Sequence, residues 1–514
     1  MKKILFSILT FCAVQFQAVA QTDQPNVVVI TADDLGYEAV NSFGRDIPNL
    51  TPQMDSFASE AVQFMNGHTN TPMCQPSRSC IATGLYGMNS GMMGFIHMKE
   101  ENPTIMQTLQ DNGYLTGVLG KVKHSTPHMG FQWDFEQDYG DLGSGRSPKK
   151  YSTYVGEFAQ RAKEEQKPFY LMVNSHDPHR TFHDPAKPMK KGAEKPSKIF
   201  STEEVEVPAY LPNTPQVRYE LACYYNSVRR FDDTFGAVIQ TLKEAGVYEN
   251  TLIIVLSDNG SPFPFAKANA YVCSTRTPFY VKWNGVSKDG LIDDEHFVQS
   301  IDIFPTVLEA TGLSVDRKLD GQSFLPLTKG EKRDGFEYTF AEIDYKIGGK
   351  QPTVMRSIQD KKFRYIINPW SVAEVRYSNS NEGEILKEIE AGKYPELEKW
   401  ADMYRHRVPE ELYDIQEDPD CVNNLIDDPK FKKELKFYRA ALRKWMEENN
   451  DIALNYVDIM NKPGQLKKAY KEFPNKESLM PQEQIDEVAR KKAEKLARKK
   501  RQQQAKQRKN NKGK

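Results

Sequence analysis

The sequence has little cysteine, no long apolar run after its first 20 residues and no visible internal repeat. Its 514 residues include six cysteines. An apolar run of about 20 residues is needed to span a bilayer, so we expect no transmembrane segment. The absence of a repeat of about 20 to 50 residues gives no indication of a solenoid or propeller. Five cysteines follow residue 20, and an odd number cannot all pair within the chain: Cys74, Cys80, Cys223, Cys273 and Cys421.

The first 20 residues have the composition of a cleaved export signal. Two lysines precede an apolar stretch at residues 4–16, and small residues form a cleavage site that ends at Ala20. The stretch is too short to form a stable membrane-spanning helix. Cys12 lacks the surroundings of a lipid-modified cysteine. We therefore expect cleavage before Gln21 and export to the periplasm or the medium.

The length predicts about two domains, because single hydrophobic cores stop growing beyond about 250 to 300 residues. Short apolar runs alternate with longer helical patterns, as at residues 219–246. This alternation is typical of an α/β domain with parallel strands and crossover helices. We place the larger domain at residues 21–334 and a smaller C-terminal α+β domain at residues 335–455.

Residues 456–514 are predicted to form a basic, disordered tail. From Arg490 onwards there are thirteen lysines and arginines and one acid, Glu494. The whole chain has a formal charge of −1, so the rest of the protein is acidic. Such tails are usually solvated extensions, although attachment to a sulfated polysaccharide or an anionic envelope surface is an alternative. No nucleic-acid recognition module accompanies the charge, so we expect no nucleic-acid partner.

Acidic residues follow two predicted buried strands. Residues 26–31 precede Asp33 and Asp34, and residues 251–256 precede Asp258 and Asn259. Buried carboxylates are costly without a cation, and ligands of open α/β sheets gather beyond the carboxyl ends of strands. Four oxygen donors without a thiolate or imidazole indicate Ca²⁺, with Mg²⁺ as second choice, rather than zinc. Each dipeptide alone also fits a helix cap or a turn.

The segment Cys74–Arg78 reads C-Q-P-S-R, and Thr83-Gly84 follows after four residues. A buried structural cysteine before a helix is the simple interpretation. The spacing resembles the signature by which type I sulfatases have a cysteine oxidised to formylglycine by a maturation enzyme. The resemblance implies an alkaline phosphatase-like sandwich with a mixed, mostly parallel central sheet, and a formylglycine derived from Cys74 that also contacts the metal. It further implies that Arg78 holds the formylglycine hydrate.

Two predicted loops supply cations. A strand ends at Lys121 and is followed by His124, and another strand ends in the sequence H-D-P-H-R from residue 176. Such residues are often only solvated, but a sulfate ester needs cationic donors and an acid. In sulfatases such loops contact the sulfate, which implicates Lys121, His124 and His179. His176 is a further candidate in the second loop, and Lys123 is the alternative to His124 in the first.

Further runs resemble the heparan N-sulfatase branch of the family: H-D-P-H-R at residue 176, L-P-N-T-P at residue 211 and S-D-N-G-S-P-F-P at residue 257. That branch has an arginine where this chain has Lys267. Arginine can bind two oxygens through its planar fork, whereas lysine acts as a point charge. The resemblance still implies that Lys267 contacts the sulfate, but it leaves the geometry of the substrate open.

We therefore predict an exported sulfatase that removes sulfate from a sulfated glycan, with N-sulfated glucosamine of a heparan-type chain as first choice. The alternative is an O-sulfatase acting on glucosamine 6-O-sulfate, uronate 2-O-sulfate or another glycan. Alkaline phosphatase-like phosphoesterases form a different class, but they use serine or threonine and zinc. A non-catalytic glycan-binding module would not need the cysteine signature.

Overall fold

The structure is a computed structural model that describes residues 24–98, 101–128, 130–346, 351–373 and 375–512. The predicted export signal lies outside the described residues. No helix in the described ranges is long and apolar enough to cross a membrane.

Twelve strands are described, and they form two sheets. The strands are β1 (Asn26–Asp33), β2 (Val62–His68), β3 (Leu115–Leu119), β4 (Phe135–Gln137), β5 (Phe169–Pro178), β6 (Thr251–Ser257), β7 (Phe279–Lys282), β8 (Ile292–Gln299), β9 (Thr339–Tyr345), β10 (Pro352–Gln359), β11 (Phe363–Ile367) and β12 (Glu410–Asp414).

The described α-helices surround these sheets. They are α1 (Pro52–Ala58), α2 (Cys74–Thr83), α3 (Gly87–Ser90), α4 (Ile105–Asp111), α5 (Val122–Ser125), α6 (Pro148–Glu164), α7 (Pro215–Glu244), α8 (Val272–Thr275), α9 (Ile303–Thr311), α10 (Ile385–Glu390), α11 (Glu398–His406), α12 (Lys432–Glu448), α13 (Leu454–Val457), α14 (Pro463–Glu472), α15 (Lys476–Leu479) and α16 (Gln482–Lys512). Short 3₁₀ turns occupy Tyr37–Ala39, Asn41–Phe43, Tyr248–Asn250, Ser300–Asp302, Leu327–Lys329, Pro369–Ala373, Pro395–Leu397 and Pro429–Phe431.

The larger sheet has eight strands in the order β4-β3-β5-β1-β6-β7-β2-β8. Strand β7 runs antiparallel to both of its neighbours, and the other pairs are parallel. Strand β1 lies between β5 and β6. The carboxyl ends of these three parallel strands therefore meet at one edge of the sheet, where ligands of such folds collect.

Strand β1 shows why the sheet is covered on both faces. Its residues are all buried, and successive side chains of a strand point to opposite faces. Val28 and Ile30 belong to the apolar cluster that includes helices α6 and α7, whereas Val27 and Val29 belong to the cluster that includes α4 and α9. The predicted α/β sandwich with a mixed, mostly parallel sheet is confirmed.

The second sheet is antiparallel, in the order β12-β11-β10-β9, and belongs to the predicted smaller C-terminal region. Its inner strands are fully buried. Helix α12 covers it through Leu442 and Trp445, which share an apolar cluster with Val354 and Tyr365.

The described residues from 456 to 512 are mostly helical, where the sequence led us to expect a disordered tail. Leu466 and Tyr470 of α14 are buried, and the Tyr470 hydroxyl donates a hydrogen bond of 2.9 Å to the Pro352 carbonyl. The apolar residues of this segment recur at helical spacing, so one face can pack on the second sheet despite the high charge.

Candidate active site

The predicted acidic residues meet at the carboxyl ends of β1 and β6. In the parallel register Ala32 lies opposite Ser257, which brings Asp33 and Asp258 next to each other just beyond the paired region. Asp34 adopts a positive φ of 75°, and its backbone N–H donates a 3.1 Å hydrogen bond to Oδ1 of Asp258. The turn after β1 therefore points both carboxylates towards β6.

Oxygens of Asp33, Asp34 and Asp258 lie within 4.8 Å of one another, and all three residues are fully buried. The Asn259 side-chain N–H₂ donates a 2.8 Å hydrogen bond to Oδ1 of Asp34. The side-chain oxygen of Asn259, Oδ1, is buried and accepts no hydrogen bond within the described residues. Oδ2 of Asp34 is likewise buried and accepts none. Orphaned oxygens beside clustered carboxylates suit a hard divalent cation, so the donor set fits the predicted metal.

Cys74 begins helix α2 and faces this cluster. Its thiol donates a 3.3 Å hydrogen bond to Oδ1 of Asp33, and Nζ of Lys267 lies 2.9 Å from its sulfur. Burial, together with the nearby charge of Asp33, raises the pKa of the Cys74 thiol. Because the thiolate is the reactive form of cysteine, the unmodified residue is a poor nucleophile at neutral pH.

Arg78 lies one helical turn after Cys74, so both side chains lie on the same face of α2. Its Nε and Nη2 bind Oδ2 of Asp258 at 3.1 and 2.8 Å. Its Nη1 donates to the Thr31 hydroxyl at 2.6 Å and also to the Asn174 side chain. Among the described residues Arg78 forms no hydrogen bond with Cys74, and its observed role is to fix Asp258.

Two lysines neutralise the two carboxylates that follow β1. Lys121 forms an ion pair with Asp33, and Lys267 forms one with Asp34. Burial alone would raise the pKa of Asp33, but Lys121, His179 and Lys267 hold it well below its usual range. Burial would lower the pKa of Lys267, yet Asp34 and the other acids raise it well above its usual value. The ammonium groups therefore stay charged at neutral pH.

The three histidines differ in position. Nε2 of His179 lies 3.9 Å from Oδ2 of Asp34, and its side chain is 35% exposed, so it lies at the open side of the site. Burial and the charge of Lys121 lower the pKa of His124 to about 3, so this residue is neutral. His176 is packed against the ring of Tyr139, with ring centroids 5.2 Å apart.

Lys123, the alternative to His124, points elsewhere. Its side chain is 54% exposed and lies 2.6 Å from Glu487 of α16. The structure therefore brings together all the predicted metal residues with Cys74, Arg78, Lys121, Lys267 and His179. It places His124 beside Lys121 and leaves Lys123 outside the cluster.

The loop that carries Lys267 is held by residues of the C-terminal region, which sequence reasoning missed. Nε of Arg364 donates a 2.6 Å hydrogen bond to the Ala270 carbonyl, and the Tyr377 hydroxyl donates to the Ala268 carbonyl. Nη2 of Arg407 donates to the Asn269 side chain at 2.6 Å. No local sequence signal marks these contacts, because the partners are about 90 to 140 positions apart in the chain.

Thr31 and Asn174, which orient Arg78, were also missed. Both are fully buried polar residues that follow the apolar stretches of strands β1 and β5, at residues 27–30 and 169–173. A buried polar side chain needs a hydrogen-bond partner, so a polar residue near the carboxyl end of an apolar strand is the signal that could have identified them.

Comparison with known proteins identifies the class. The profile of the family described as Sulfatase matches residues 25–313, so the chain belongs to the sulfatase family and is an enzyme of that class. A second profile, described as the C-terminal region of N-sulphoglucosamine sulphohydrolase, matches residues 263–376. The family generally uses a formylglycine and a divalent metal, in agreement with the fold and the site.

Individual relatives support this membership. The chain is 30% identical over 469 residues to N-sulphoglucosamine sulphohydrolase of Homo sapiens, covering 83% of this chain and 90% of the relative. It is 25% identical over 484 residues to an ulvan-active sulfatase of Formosa agariphila, covering 86% and 78%.

Solved structures show the same fold. A 2-O GAG sulfatase superposes with a TM-score of 0.61 at 19% identity, covering 83% of this chain and 93% of the other. The phosphonate monoester hydrolase of Agrobacterium radiobacter gives 0.59 at 19% identity, covering 83% and 96%. The two activities differ, so this likeness concerns the fold alone.

Proposed function

We propose that this sulfatase hydrolyses the N-sulfate of N-sulfated glucosamine in heparan-type glycans, after Cys74 has been converted to formylglycine by a maturation enzyme. The observation that carries the mechanism is the position of the Cys74 sulfur between the Asp33 carboxylate and the Lys267 ammonium. The substrate rests on the 30% identity to the human N-sulphoglucosamine sulphohydrolase.

The Cys74 sulfur marks the position that one oxygen of the formylglycine hydrate takes. The hydrate supplies a hydroxyl that can attack sulfur, and its second hydroxyl allows the sulfate to be expelled afterwards. Asp33 accepts a hydrogen bond from the group at this position in the structure, so it is placed to orient that hydroxyl. Position 74 also lies at the N-terminus of a ten-residue helix, where backbone N–H groups favour negative charge.

The metal would be held by Asp33, Asp34, Asp258 and Asn259, together with the modified Cys74. Their hard oxygen donors suit Ca²⁺, with Mg²⁺ as the second choice. A bound cation would polarise a sulfate oxygen and offset the charge of the carboxylates. Arg78 keeps Asp258 in place, and the hydrogen bond from Asn259 does the same for Asp34.

The cationic side chains then bind the sulfate. Lys121 and Lys267 carry full charges next to Cys74, and charges placed where negative charge develops stabilise a transition state. His179 is the histidine on the exposed side, so it is positioned to bind the sulfate or to give a proton to the departing nitrogen. His124, which is neutral and half-buried, is the residue that we assign to hold the hydrate together with Arg78.

The proposed substrate requires that the protein act outside the cytoplasm. We further propose that the chain is exported, since the substrate is an extracellular polysaccharide and the first 20 residues read as an export signal. Removal of the signal can be detected by mass analysis of the mature N-terminus, which should begin at Gln21.

A panel of defined saccharides tests the substrate. Each saccharide carries a single sulfate, at the N-, 2-O-, 3-O- or 6-O-position, and released sulfate is measured together with the free glucosamine amine. We expect sulfate release with a new amine from the N-sulfated saccharide. Activity on the 6-O-sulfated, N-acetylated saccharide with none on the N-sulfated one would instead establish the O-sulfatase alternative.

A further inference from the structure

Helix α16 begins at the rim of the active site. Gln484, in its first turn, is buried and binds the chain that precedes the active-site loop. Its side-chain N–H₂ donates a 3.0 Å hydrogen bond to the Phe95 carbonyl, and its oxygen accepts one of 2.8 Å from the His97 N–H. The ring of Phe95 packs edge-on against His124, with centroids 5.8 Å apart. Phe95 thus links the first turn of α16 to His124 of the candidate active site.

A second contact joins the same helix to the active-site loop. Glu487 lies one turn further along α16, and it binds Nζ of Lys123 at 2.6 Å. Lys123 stands between Lys121 and His124 in the chain. Glu487 also accepts a 2.5 Å hydrogen bond from Nζ of Lys491. Polar contacts on two successive turns therefore fix where the helix begins.

Beyond these anchors the helix is basic and exposed. Residues 490–501, here called the basic segment, contain eight lysines and arginines and one acid, Glu494. Every side chain in this segment is exposed. Lys491, Lys495 and Arg498 recur at the i, i+4, i+7 spacing that places residues on one face of a helix. At 1.5 Å per residue, the helix from Glu487 to Arg501 is about 21 Å long.

We propose that the basic segment of α16 is a binding surface for the sulfated polysaccharide outside the catalytic pocket, and that it retains the polymer while the active site acts on it. The rest of the chain carries net negative charge, because the whole protein is at −1 despite this segment. A polyanion would be repelled by such a body, whereas a row of cations on a helix whose first turn is anchored beside the active-site loop attracts it to that side of the protein. The choice of polymer rests on the proposed function.

Other anionic partners fit the segment less well. A helix that lies on a membrane surface needs an apolar face, but the basic segment has only Ala493, Leu496 and Ala497 as apolar residues. Nucleic acid would offer a polyanion of similar charge, but a recognition module usually accompanies such charge in nucleic-acid-binding proteins. A sulfated glycan is the polyanion that the active site itself would handle.

A charge-reversal variant of the full chain tests the proposal. Lys495→Glu, Arg498→Glu and Lys499→Glu are combined, because these positions are exposed and lie beyond the Gln484 and Glu487 anchors. The control combines Lys432→Glu, Lys433→Glu and Lys436→Glu on α12, which are also exposed and give the same change of charge. Binding of heparin is titrated at two salt concentrations, and sulfate release is followed on heparin and on an N-sulfated disaccharide.

We expect the α16 variant to bind heparin about tenfold more weakly with a smaller salt dependence, and to show a raised KM on heparin with unchanged kinetics on the disaccharide. The control variant should keep nearly all of its heparin affinity and an unchanged KM on heparin. Equal losses in both variants, or unchanged heparin binding in the α16 variant, would overturn the proposal. So would tighter binding of duplex DNA or of phosphatidylserine vesicles than of heparin at the same salt.

The measurement of heparin binding does not depend on turnover. If heparin binding follows the basic segment but no N-sulfate is released, the binding surface stands and the substrate assignment fails. If N-sulfate is released but heparin binding ignores the segment, the proposed function stands and this inference fails.

Discussion

Nζ of Lys267 lies 2.9 Å from the sulfur of Cys74, although 193 positions separate the two residues in the chain. Both side chains are almost completely buried. The contact brings a permanent positive charge to the residue that the family modifies. The resemblance to the heparan N-sulfatases led us to expect an arginine here, and we predict that the Lys267 ammonium contacts the sulfate as a point charge instead.

Lys267→Ala should lower kcat by about 10²–10³-fold, the usual effect of removing one preorganised donor that stabilises transition-state charge. Lys267→Arg should be milder, because it keeps the charge but must fit a larger planar group. Initial rates on the preferred saccharide and the apparent melting temperature should be measured together. Equal activity of wild-type and Lys267→Ala protein would exclude the residue from sulfate binding.

Cys74 should appear as formylglycine in protein made together with a maturation enzyme. Intact-mass and peptide analysis can detect the conversion, and the fraction converted should match the fraction that is active. Cys74→Ala should abolish turnover with the melting temperature little changed, because the side chain is small. Cys80→Ala is the control, since Cys80 is equally buried but lies outside the reacting cluster. Full activity in protein whose Cys74 is entirely thiol would refute the assignment.

Asp33→Ala should lose bound metal and activity together, because the site would lose one of its carboxylate ligands. Metal content is measured by elemental analysis of purified protein, with the exposed Asp46→Ala as control. We expect about one Ca²⁺ per chain in the control and far less in the variant. Stoichiometric zinc without calcium or magnesium would point instead to a phosphoesterase-like site.

Tyr377→Phe tests whether the C-terminal region positions Lys267. The change removes the hydrogen bond to the Ala268 carbonyl and keeps the ring. Tyr470→Phe is the matched control, because it removes a hydroxyl bonded to the Pro352 carbonyl. Each should cost about 0.5–1.5 kcal/mol of stability. Only Tyr377→Phe should lower kcat, and an equal fall in both variants would show a purely structural role.

Asp177→Ala should destabilise the fold strongly. Asp177 is fully buried and accepts hydrogen bonds from Arg146 at 2.9 Å and from Arg230 at 2.6 and 2.9 Å. Removing the acid leaves two buried guanidinium groups without their partner, which costs about 3–5 kcal/mol. Denaturant unfolding of this variant against Asp46→Ala measures the loss. A change below about 1 kcal/mol would be inconsistent with a structural ion-pair network.

The same carboxylate gives a pH dependence. Burial would raise the pKa of Asp177, but Arg230 and Arg146 lower it below its usual value. A lowered pKa means that the stabilisation is complete above the unfolded value of about 4 and is lost as the pH falls through the folded pKa. As the pH falls below about 4, the free energy of unfolding of the wild-type protein should therefore decrease more than that of Asp177→Asn. Denaturant unfolding of both proteins over this pH range measures the difference.

The amino-acid sequence was sufficient to predict the parts of the protein that depend on local pattern. Alternating apolar runs and helical segments predicted the α/β fold, and the Cys74–Arg78 segment predicted the sulfatase class. Polar residues at the ends of two apolar strands predicted the acidic cluster, since parallel strands present their carboxyl ends at one edge of a sheet. The roles of these residues in catalysis stay predictions.

Only the tertiary structure decided which distant side chains complete the site. Thr31 and Asn174 fix Arg78, and Arg364 of the second sheet holds the loop that carries Lys267. Gln484 meets His97 across 387 positions. Such contacts arise from packing between elements and not from propensities along the chain. A sequence pattern reports the local chain conformation and which face of an element is apolar, but not which partner a polar side chain finds when those faces come together.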